Sequence, residues 1–245
     1  FNDVTIKALG PSYGIGVLLT NQADYNYIMD CYIWVNPAST SSNFAGIVSS
    51  TKTSTTSSGD HGNYNWFKDN TIFGGYYGVR LNGISSSTGC VRNMVEGNTI
   101  DHYYYYGVYM NYQSDCNVAY NEIVDRAATT SSYGIYLNYN RQGPVVQGNK
   151  VVAGYYGIYA NRCNQDSTGR GIIVNNMISM RRTSSTVYPL RVYYSHMFDV
   201  WHNSLLTQSS GTNYGLRLYN STSNPNMHHD VRNNIVVNTG TGTFY

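Results

Sequence analysis

Short β-prone segments of two kinds alternate along the whole chain. In one kind an Asn lies between apolar residues, as in Val146-Gln147-Gly148-Asn149-Lys150-Val151. In the other a Gly follows an aromatic residue, from Tyr13-Gly14-Ile15 to Tyr214-Gly215-Leu216. With weaker copies included, each kind occurs eight times, and the Asn positions are 23 to 31 residues apart. A nearly fixed period of this size indicates a repeat array such as a solenoid.

The residues inside each segment predict strands rather than helices. Val, Ile, Tyr and Thr dominate, and in one Gly segment a period-two alternation puts Tyr133, Ile135 and Leu137 on the same side of a strand. Gly134 and Tyr136 then share the opposite side. A leucine-rich horseshoe would need Leu at most core positions, and a propeller would need a period of roughly 40 residues. The pattern therefore predicts an all-β solenoid, a parallel β-helix of about eight coils of roughly 27 residues, open at both ends.

The recurring Asn is predicted to occupy a tight turn in every coil, where its amide bonds to the coils above and below. The positions are Asn70, Asn98, Asn121, Asn149, Asn176, Asn203 and Asn234. In a degenerate first copy, Cys31 stands where Asn would be. Because burial of this kind uses both ends of the amide, we interpret these residues as a structural Asn ladder rather than as catalytic groups.

An outward-facing strip is predicted two residues after each Gly, or after the Pro that replaces it once. Its members are Arg80, Tyr109, Tyr136, Tyr159, Arg191 and Arg217. Stacked about 4.8 Å apart, rings and guanidinium planes suit sugar faces and acidic or hydroxylated polymers, so the strip is a candidate ligand-binding surface. The alternative is that Tyr recurs here because it favours strands and stacks well across them.

Composition narrows the picture further. Only 11% of the 245 residues are charged, the net charge is +2, and no basic run suggests nucleic-acid binding. No apolar run approaches the ~20 residues of a membrane span. Residues 1–245 show no domain boundary, and a Ser/Thr-rich insertion at 49–62 is predicted to bulge out as an exposed loop. Since solenoids need polar caps, we expect an excerpt of a longer chain, with its flanking segments as partners.

The paired signature Gly-Ile-x-Leu and Val-x-x-Asn-x-Ile resembles the right-handed parallel β-helix repeat of the pectin-lyase-like superfamily, over essentially the whole chain. The Tyr-, Ser- and Asn-rich coils and the closing segment 231–240 also look like the very large β-helix surface proteins of type IX secreting bacteria. These resemblances imply a right-handed coil and an extracellular or cell-surface location. They do not imply one particular activity.

Enzymes of the superfamily cut or epimerise acidic polysaccharides, which implies clustered carboxylates for Ca²⁺ or acid–base chemistry. Asp101 and His102 follow one Asn turn, and Asp125 and Arg126 follow the next, so they are the candidate catalytic residues under this alternative. The other interpretation is a solvated ion-pair network. Two carboxylates are thin support for Ca²⁺, and no other cofactor or metal is predicted.

Cysteine and histidine spacings do not indicate a metal module. The four cysteines are Cys31, Cys90, Cys116 and Cys163. Cys90 and Cys116 fall in loops of neighbouring coils, and whether they form a disulfide is open. His61 and the run His228-His229-Asp230 have no further ligand at metal spacing, so polar turns are favoured there.

The sequence therefore predicts a segment of a secreted or cell-surface β-helix with a structural or adhesive role. Its partner would be a polysaccharide or another surface. Two alternatives stay open: a polysaccharide lyase, hydrolase or epimerase, and a passive stalk with no ligand.

Overall fold

The chain forms a right-handed parallel β-helix of about eight turns, as the repeat predicted. A computed structural model describes residues 1–59, 62–85, 90–126, 131–165, 169–220 and 228–245. Every strand pair in these ranges is parallel and joins equivalent strands of consecutive coils. No helix long and apolar enough to cross a membrane occurs in them.

Three long sheets form the walls of the helix. The pre-Asn sheet, which precedes the Asn turn, contains Tyr27–Met29, Trp66–Lys68, Met94–Glu96, Asn117–Ala119, Val145–Gln147, Gly171–Val174, Phe198–Trp201 and Asp230–Arg232. The post-Asn sheet contains Thr5–Ala8, Tyr32–Val35, Thr71–Phe73, Thr99–Tyr103, Glu122–Asp125, Lys150–Ala153, Met177–Met180, Ser204–Thr207 and Ile235–Asn238. The Gly sheet contains Gly14–Leu19, Phe44–Ser49, Tyr77–Asn82, Tyr106–Asn111, Tyr133–Asn138, Tyr156–Asn161, Tyr188–Tyr193 and Leu216–Tyr219. Cys90–Val91 pairs with Gln113–Ser114 in a short fourth sheet.

The core consists of apolar columns that run along the axis. In the post-Asn sheet Ile100, Ile123 and Val151 lie in register in successive coils, and all three are buried. Neighbouring strands lie about 4.8 Å apart, so each buried side chain packs on its counterparts above and below. Burial of this apolar surface, together with the axial backbone hydrogen bonds, holds the coils together.

The Gly segments depart from the predicted alternation. The rings of Tyr133 and Tyr136 contact each other on the outer face, with centroids 5.5 Å apart, so Tyr133 does not share the side of the buried Ile135. A Cβ on Gly134 would overlap the buried Val151 side chain and would lie 2.6 Å from the carbonyl oxygen of the next coil's Gly. Two consecutive residues therefore face inward, and only Gly fits the first of these positions.

The first coil follows the same rule with a shifted register. Ile15 pairs with Ala45 and Val17 with Ile47, which aligns Gly16, not Gly14, with Gly46. The motif Tyr13-Gly14-Ile15 was therefore misaligned by two residues in the sequence analysis. Contacts with the core and with the next coil's Gly fix the register. These contacts are not local in sequence, so the motif alone does not predict the register.

The Ser/Thr-rich insertion is not a free-standing loop throughout. Most of residues 51–59 are exposed, but Thr55 is buried and its hydroxyl donates to the carbonyl of Ser42. The Asn82 amide donates to the carbonyl of Thr55, at 3.0 Å. This part of the insertion therefore lies against the Gly sheet near the start of the predicted strip. Residues 60 and 61, including His61, lie outside the described residues.

Candidate binding face and buried polar clusters

The predicted strip occupies one column on the outer face of the Gly sheet. Register pairs join its six members from coil to coil in the order Arg80, Tyr109, Tyr136, Tyr159, Arg191 and Arg217. The residues that precede Arg80 in this column are Leu18 and Val48, and Val48 is buried. The aromatic and cationic part of the face therefore begins at Arg80.

The tyrosines of the strip stack face to face on one another. The ring centroids of Tyr109 and Tyr136 are 4.9 Å apart at 8°, and those of Tyr136 and Tyr159 are 5.0 Å apart at 6°. The Arg80 guanidinium lies 4.7 Å from the Tyr109 ring centroid. Because neighbours cover both faces of the inner rings, the strip presents ring edges and hydroxyl groups rather than open faces on which sugars could stack.

A second tyrosine column runs beside the strip, although strict alternation predicts that these tyrosines lie on the opposite side of the strands. It consists of the residues directly before each Gly or Pro: Tyr77, Tyr106, Tyr133, Tyr156, Tyr188 and Tyr214. Tyr188 and Tyr214 are 4.8 Å apart with parallel rings, and Tyr156 and Tyr188 are 4.9 Å apart. The recurring aromatic-Gly dipeptide was the sequence signal for this column. Strict alternation gave the wrong direction for its tyrosine side chains.

An amide column completes the face on the other side of the strip. Asn138 donates to Asn111 at 2.9 Å, and Asn161 donates to Asn138 at 2.8 Å. Nε of Arg80 donates to the side-chain oxygen of Asn82 at 2.8 Å. The amides are thus ordered by one another, and the outer face has three parallel columns of polar and aromatic groups.

The face is positively charged. Its eight Gly-sheet strands contain Arg80, Arg191 and Arg217 but neither Asp nor Glu. Burial raises the pKa of Tyr159 to about 12 even though Arg191 opposes the shift, so this hydroxyl stays neutral at physiological pH. Arg191 donates to the Tyr156 hydroxyl at 2.7 Å. Neutral hydroxyls and fixed guanidinium groups suit an anionic, hydroxylated ligand.

The seven predicted ladder asparagines form a continuous chain of hydrogen bonds in the turns. Asn149 illustrates the pattern: its amide donates to Asn176 at 3.0 Å and to the Val118 carbonyl at 2.9 Å. Its side-chain oxygen accepts from both the backbone and the side chain of Asn121. At the first turn the backbone N–H of Cys31 donates to Asn70. Every ladder amide therefore links neighbouring coils.

A second, shorter ladder lies at the other end of the pre-Asn strands and was not recognised from the sequence. Asn26 donates to Asn65 at 3.0 Å, and Asn65 donates to Asn93 at 3.1 Å. Asn93 then donates to the side-chain oxygen of Gln113 at 2.8 Å. In the first three coils of the pre-Asn sheet, an Asn stands two residues before the central residue of the strand. Later coils lack this Asn, so the pattern was too short to be noticed.

The four candidate catalytic residues do not converge. Asp101 and His102 contact each other at 2.9 Å and are solvent-exposed on the post-Asn sheet. Asp125 lies two residues after the buried Ile123, so regular alternation turns its carboxylate toward the interior. A bulge between Asp101 and Tyr103 on the neighbouring strand brings Tyr103 into register with it. Arg126 points elsewhere and donates to the Pro37 carbonyl at 2.7 Å. An acid–base pair built from these residues is therefore not assembled here.

Asp125 instead belongs to a buried polar cluster. Nε of Arg181 lies 2.9 Å from its carboxylate, and the hydroxyl of Ser132 donates to it at 2.5 Å. Burial raises the pKa of Asp125 to about 6 despite the opposing effects of Ser132 and Arg181. The arrangement is that of a buried ion pair joining two coils, and Tyr103 is fully buried beside it.

Metal ligands do not cluster within the described residues. No three His, Cys, Asp or Glu side chains there are placed to hold a metal ion. All four cysteines are free and buried, so Cys90 and Cys116 do not form a disulfide. His229 accepts from the backbone N–H of Phe198, and burial lowers its pKa to about 4. His229 is therefore neutral and packed rather than poised in a polar turn.

Comparison with known families identifies the repeat. A family described as periplasmic copper-binding protein (NosD) matches residues 21–186, which is more than half of the chain. A search of curated proteins found no match. The match spans most of the pre-Asn, post-Asn and Gly strands described above, including the Asn ladder from Asn70 to Asn176. On this evidence the chain belongs to the NosD family of periplasmic β-helix proteins.

Proposed function

We propose that this chain is an exported structural β-helix whose Gly-sheet face binds an anionic polysaccharide along the helix axis. The observation that supports this proposal most strongly is the composition of the face, with three arginines, two tyrosine columns and no carboxylate on any of its eight strands. The periplasmic description of the family supports export. The resemblance to type IX-secreted surface proteins stays a prediction.

The mode of binding follows from the packing of the rings. Because the tyrosines cover one another, contacts to the polymer would come from hydroxyl edges, amides and guanidinium groups. Arg191 lies within 4.2 to 5.8 Å of four tyrosine ring centroids, which restricts its guanidinium before any ligand arrives. A pre-ordered cation loses less entropy on binding a carboxylate or sulfate.

The enzymatic alternative has less support on this face. A lyase, hydrolase or epimerase needs acid–base groups beside the bound polymer, and the Gly-sheet strands supply none. Asp125 is the one strongly perturbed carboxylate among the described residues, and its side chain is enclosed between Ser132 and Arg181. The alternative is therefore retained only as an outcome of the binding experiment.

Copper, which the family description names, does not fit the donors described here. Copper sites in proteins use Cys, Met or His ligands. No three His, Cys, Asp or Glu side chains of the described residues are placed to hold a metal ion. Burial raises the pKa of the Cys116 thiol, and it raises that of Cys163 to about 12. Both stay protonated at neutral pH, whereas a metal binds the thiolate. We derive no step through copper.

Affinity measurements with polygalacturonate and a neutral glucan test the proposal. Arg191→Gln and Arg217→Gln should each weaken polygalacturonate binding by about tenfold or more, because each removes a charged hydrogen bond worth roughly 1.5–3 kcal/mol. Arg232→Gln is the matched control, since Arg232 is an exposed arginine of the pre-Asn sheet that pairs with Asp230.

Two outcomes would contradict the proposal. Equal binding by wild type and both strip variants, with melting unchanged, would remove the Gly-sheet face as the binding surface. New unsaturated or reducing chain ends during the incubation, abolished by Asp125→Asn, would support the enzymatic alternative instead. A strip that holds the polymer without cleavage supports the structural and adhesive role.

A further inference from the structure

A second set of aromatic residues lies on the pre-Asn sheet, away from the Gly-sheet face. One column stands at the corner where the chain enters this sheet and contains Tyr25, Tyr64, Arg92 and Asp115. All four have φ between 50° and 57°, so the same left-handed turn recurs in four coils. The neighbouring column, in register on the strands, contains Tyr27, Trp66, Met94 and Asn117.

The two columns line an open groove of about 460 Å³ that follows the helix axis. Tyr25 is 61% and Tyr27 is 50% exposed, although both contact other aromatic groups. From Tyr27 to Val145, which ends the groove, the chain makes four coil steps, or about 19 Å at the strand spacing. The groove is therefore long and shallow, with aromatic groups concentrated at one end.

Ring geometry differs from that of the Gly-sheet face. Tyr27 and Trp66 meet edge to face, with centroids 6.2 Å apart at 63°. Such a pair leaves the faces of Tyr27 uncovered by Trp66. The Lys68 ammonium lies 5.1 Å from the Trp66 ring centroid, so Tyr27 is the more open of the two rings. Tyr25 stacks on Tyr64 at 4.8 Å and 2°, which holds the edge of the groove in place.

The charge in the groove is balanced. Nε of Arg92 donates to the Asp115 carboxylate at 2.8 Å, and the Arg92 guanidinium lies 5.9 Å from the Tyr64 ring centroid. Among the residues that the structure describes, no other side chain with a full charge lines the groove. Lys68, which contacts the Trp66 ring from outside the lining, is itself paired with Asp69 at 3.6 Å. An ion pair offers both donors and acceptors to a ligand but no net attraction for an anion or a cation.

Two buried polar atoms in the groove wall lack a partner among the described residues. They are the indole Nε1 of Trp66, a donor, and the side-chain oxygen of Asn117, an acceptor. Leaving such groups unpaired costs roughly 1–3 kcal/mol each, so a ligand or water that reaches them gains free energy. Trp66 and Asn117 lie two coil steps apart, with Met94 between them, or about 10 Å along the groove. This donor and this acceptor can therefore pair with hydroxyl groups on different residues of a sugar chain, because a hydroxyl both donates and accepts.

From these features we infer that the groove binds a neutral saccharide chain. Uncovered aromatic faces suit the apolar face of a pyranose ring, and the ion pair and amide suit its hydroxyl groups. The balanced charge distinguishes this ligand from the anionic polymer proposed for the Gly-sheet face. A protein with both surfaces would hold two chemically different glycans on two sides of one rod.

Titration of the full chain with cellohexaose and maltohexaose tests the inference. Trp66→Ala and Tyr64→Asn should each weaken binding of the preferred hexasaccharide about three- to tenfold, the range expected for loss of one aromatic contact. Asn is chosen at Tyr64 because it tolerates the left-handed backbone. Tyr120→Asn is a closely matched control: Tyr120 is 61% exposed, as Tyr25 is, has φ 57°, and lies outside the groove.

The outcomes separate this site from the Gly-sheet face. The inference predicts that Arg191→Gln leaves hexasaccharide binding unchanged and that hexagalacturonate does not compete for the groove. It is overturned if neither neutral hexasaccharide binds, or if the groove variants bind as well as the Tyr120 control. Binding of a polyproline peptide in place of both sugars would show that the groove recognises extended peptides and would also refute the assignment. Circular dichroism of each variant checks that the coils remain folded.

Discussion

Replacing a central ladder residue, Asn149→Ala, should destabilise the fold far more than an exposed substitution does. The backbone N–H of Asn121 would lose its side-chain acceptor, a bond of 2.9 Å in a fully buried turn. That orphaned donor costs roughly 1–3 kcal/mol. The Asn121 amide and the Val118 carbonyl would each lose one further bond, at about 1 kcal/mol apiece. The expected loss is therefore about 3–5 kcal/mol.

Asn234→Ala is the matched control for this prediction. Asn203 donates its backbone N–H and its side-chain amide to Asn234 at 2.9 Å, so the bonds removed are of the same kind. The residues around Asn234 are exposed, however, and Asn234 itself is only half-buried. Water can replace the lost acceptor there, and we expect a loss of about 1 kcal/mol.

Urea unfolding of both variants, combined with amide hydrogen exchange, measures the difference. Repeat arrays open locally, so the exchange rate of the Asn121 amide reports the damaged turn even if distant coils stay folded. Asn149→Ala should accelerate exchange at Asn121 and lower the unfolding midpoint. Equal midpoint losses in the two variants would refute the argument that burial of the ladder sets its contribution.

Three further predictions concern other parts of the structure. The pKa of Asp125 is raised from 3.8 to about 6, so folding disfavours the charged carboxylate. The free energy of unfolding of the wild type, relative to that of Asp125→Asn, should therefore fall as pH rises from 4 to 7. The change over this pH range is about 2.4 kcal/mol, and a difference independent of pH in urea unfolding would contradict the raised pKa. Gly134→Ala should cost about 1–3 kcal/mol in thermal or urea unfolding, because the added methyl overlaps Val151, and an unchanged midpoint would refute the inward placement of Gly134. Iodoacetamide should label the cysteines slowly in the native protein and label all four once it is unfolded without reductant, whereas two unlabelled residues would indicate a Cys90–Cys116 disulfide.

The repeat made the fold predictable, because strand pairing and the Asn turn both leave a periodic mark on the sequence. The direction of the tyrosine before each Gly was not predictable from alternation. Tyr133 faces outward because Gly134 and Ile135 both turn inward, and the missing Cβ of Gly134 leaves room there for Val151 from another sheet. A pattern within one segment cannot predict a contact with a residue that is distant in sequence and lies across the core.

Alternation was enough to separate the two candidate carboxylates, but it could not reveal the groove. Asp125 lies two residues after the buried Ile123 and faces inward with it, whereas Asp101 pairs with Val124 and stays exposed. The groove on the pre-Asn sheet depends on corner residues such as Tyr25 and Tyr64, which lie outside the two repeated motifs. Its aromatic groups differ in identity from coil to coil and so leave no periodic signal.

The coil-to-coil register also bears on how such a chain can change during evolution. A duplication or deletion of one period, for example the 27 residues between Asn149 and Asn176, adds or removes one coil wherever its boundaries fall. The ladder, the core columns and the tyrosine columns then rejoin with their partners unchanged, because each coil contacts mainly its neighbours. The length of a binding face is therefore inherited in whole steps of about 4.8 Å, and recombination within the gene can adjust it without redesigning the fold.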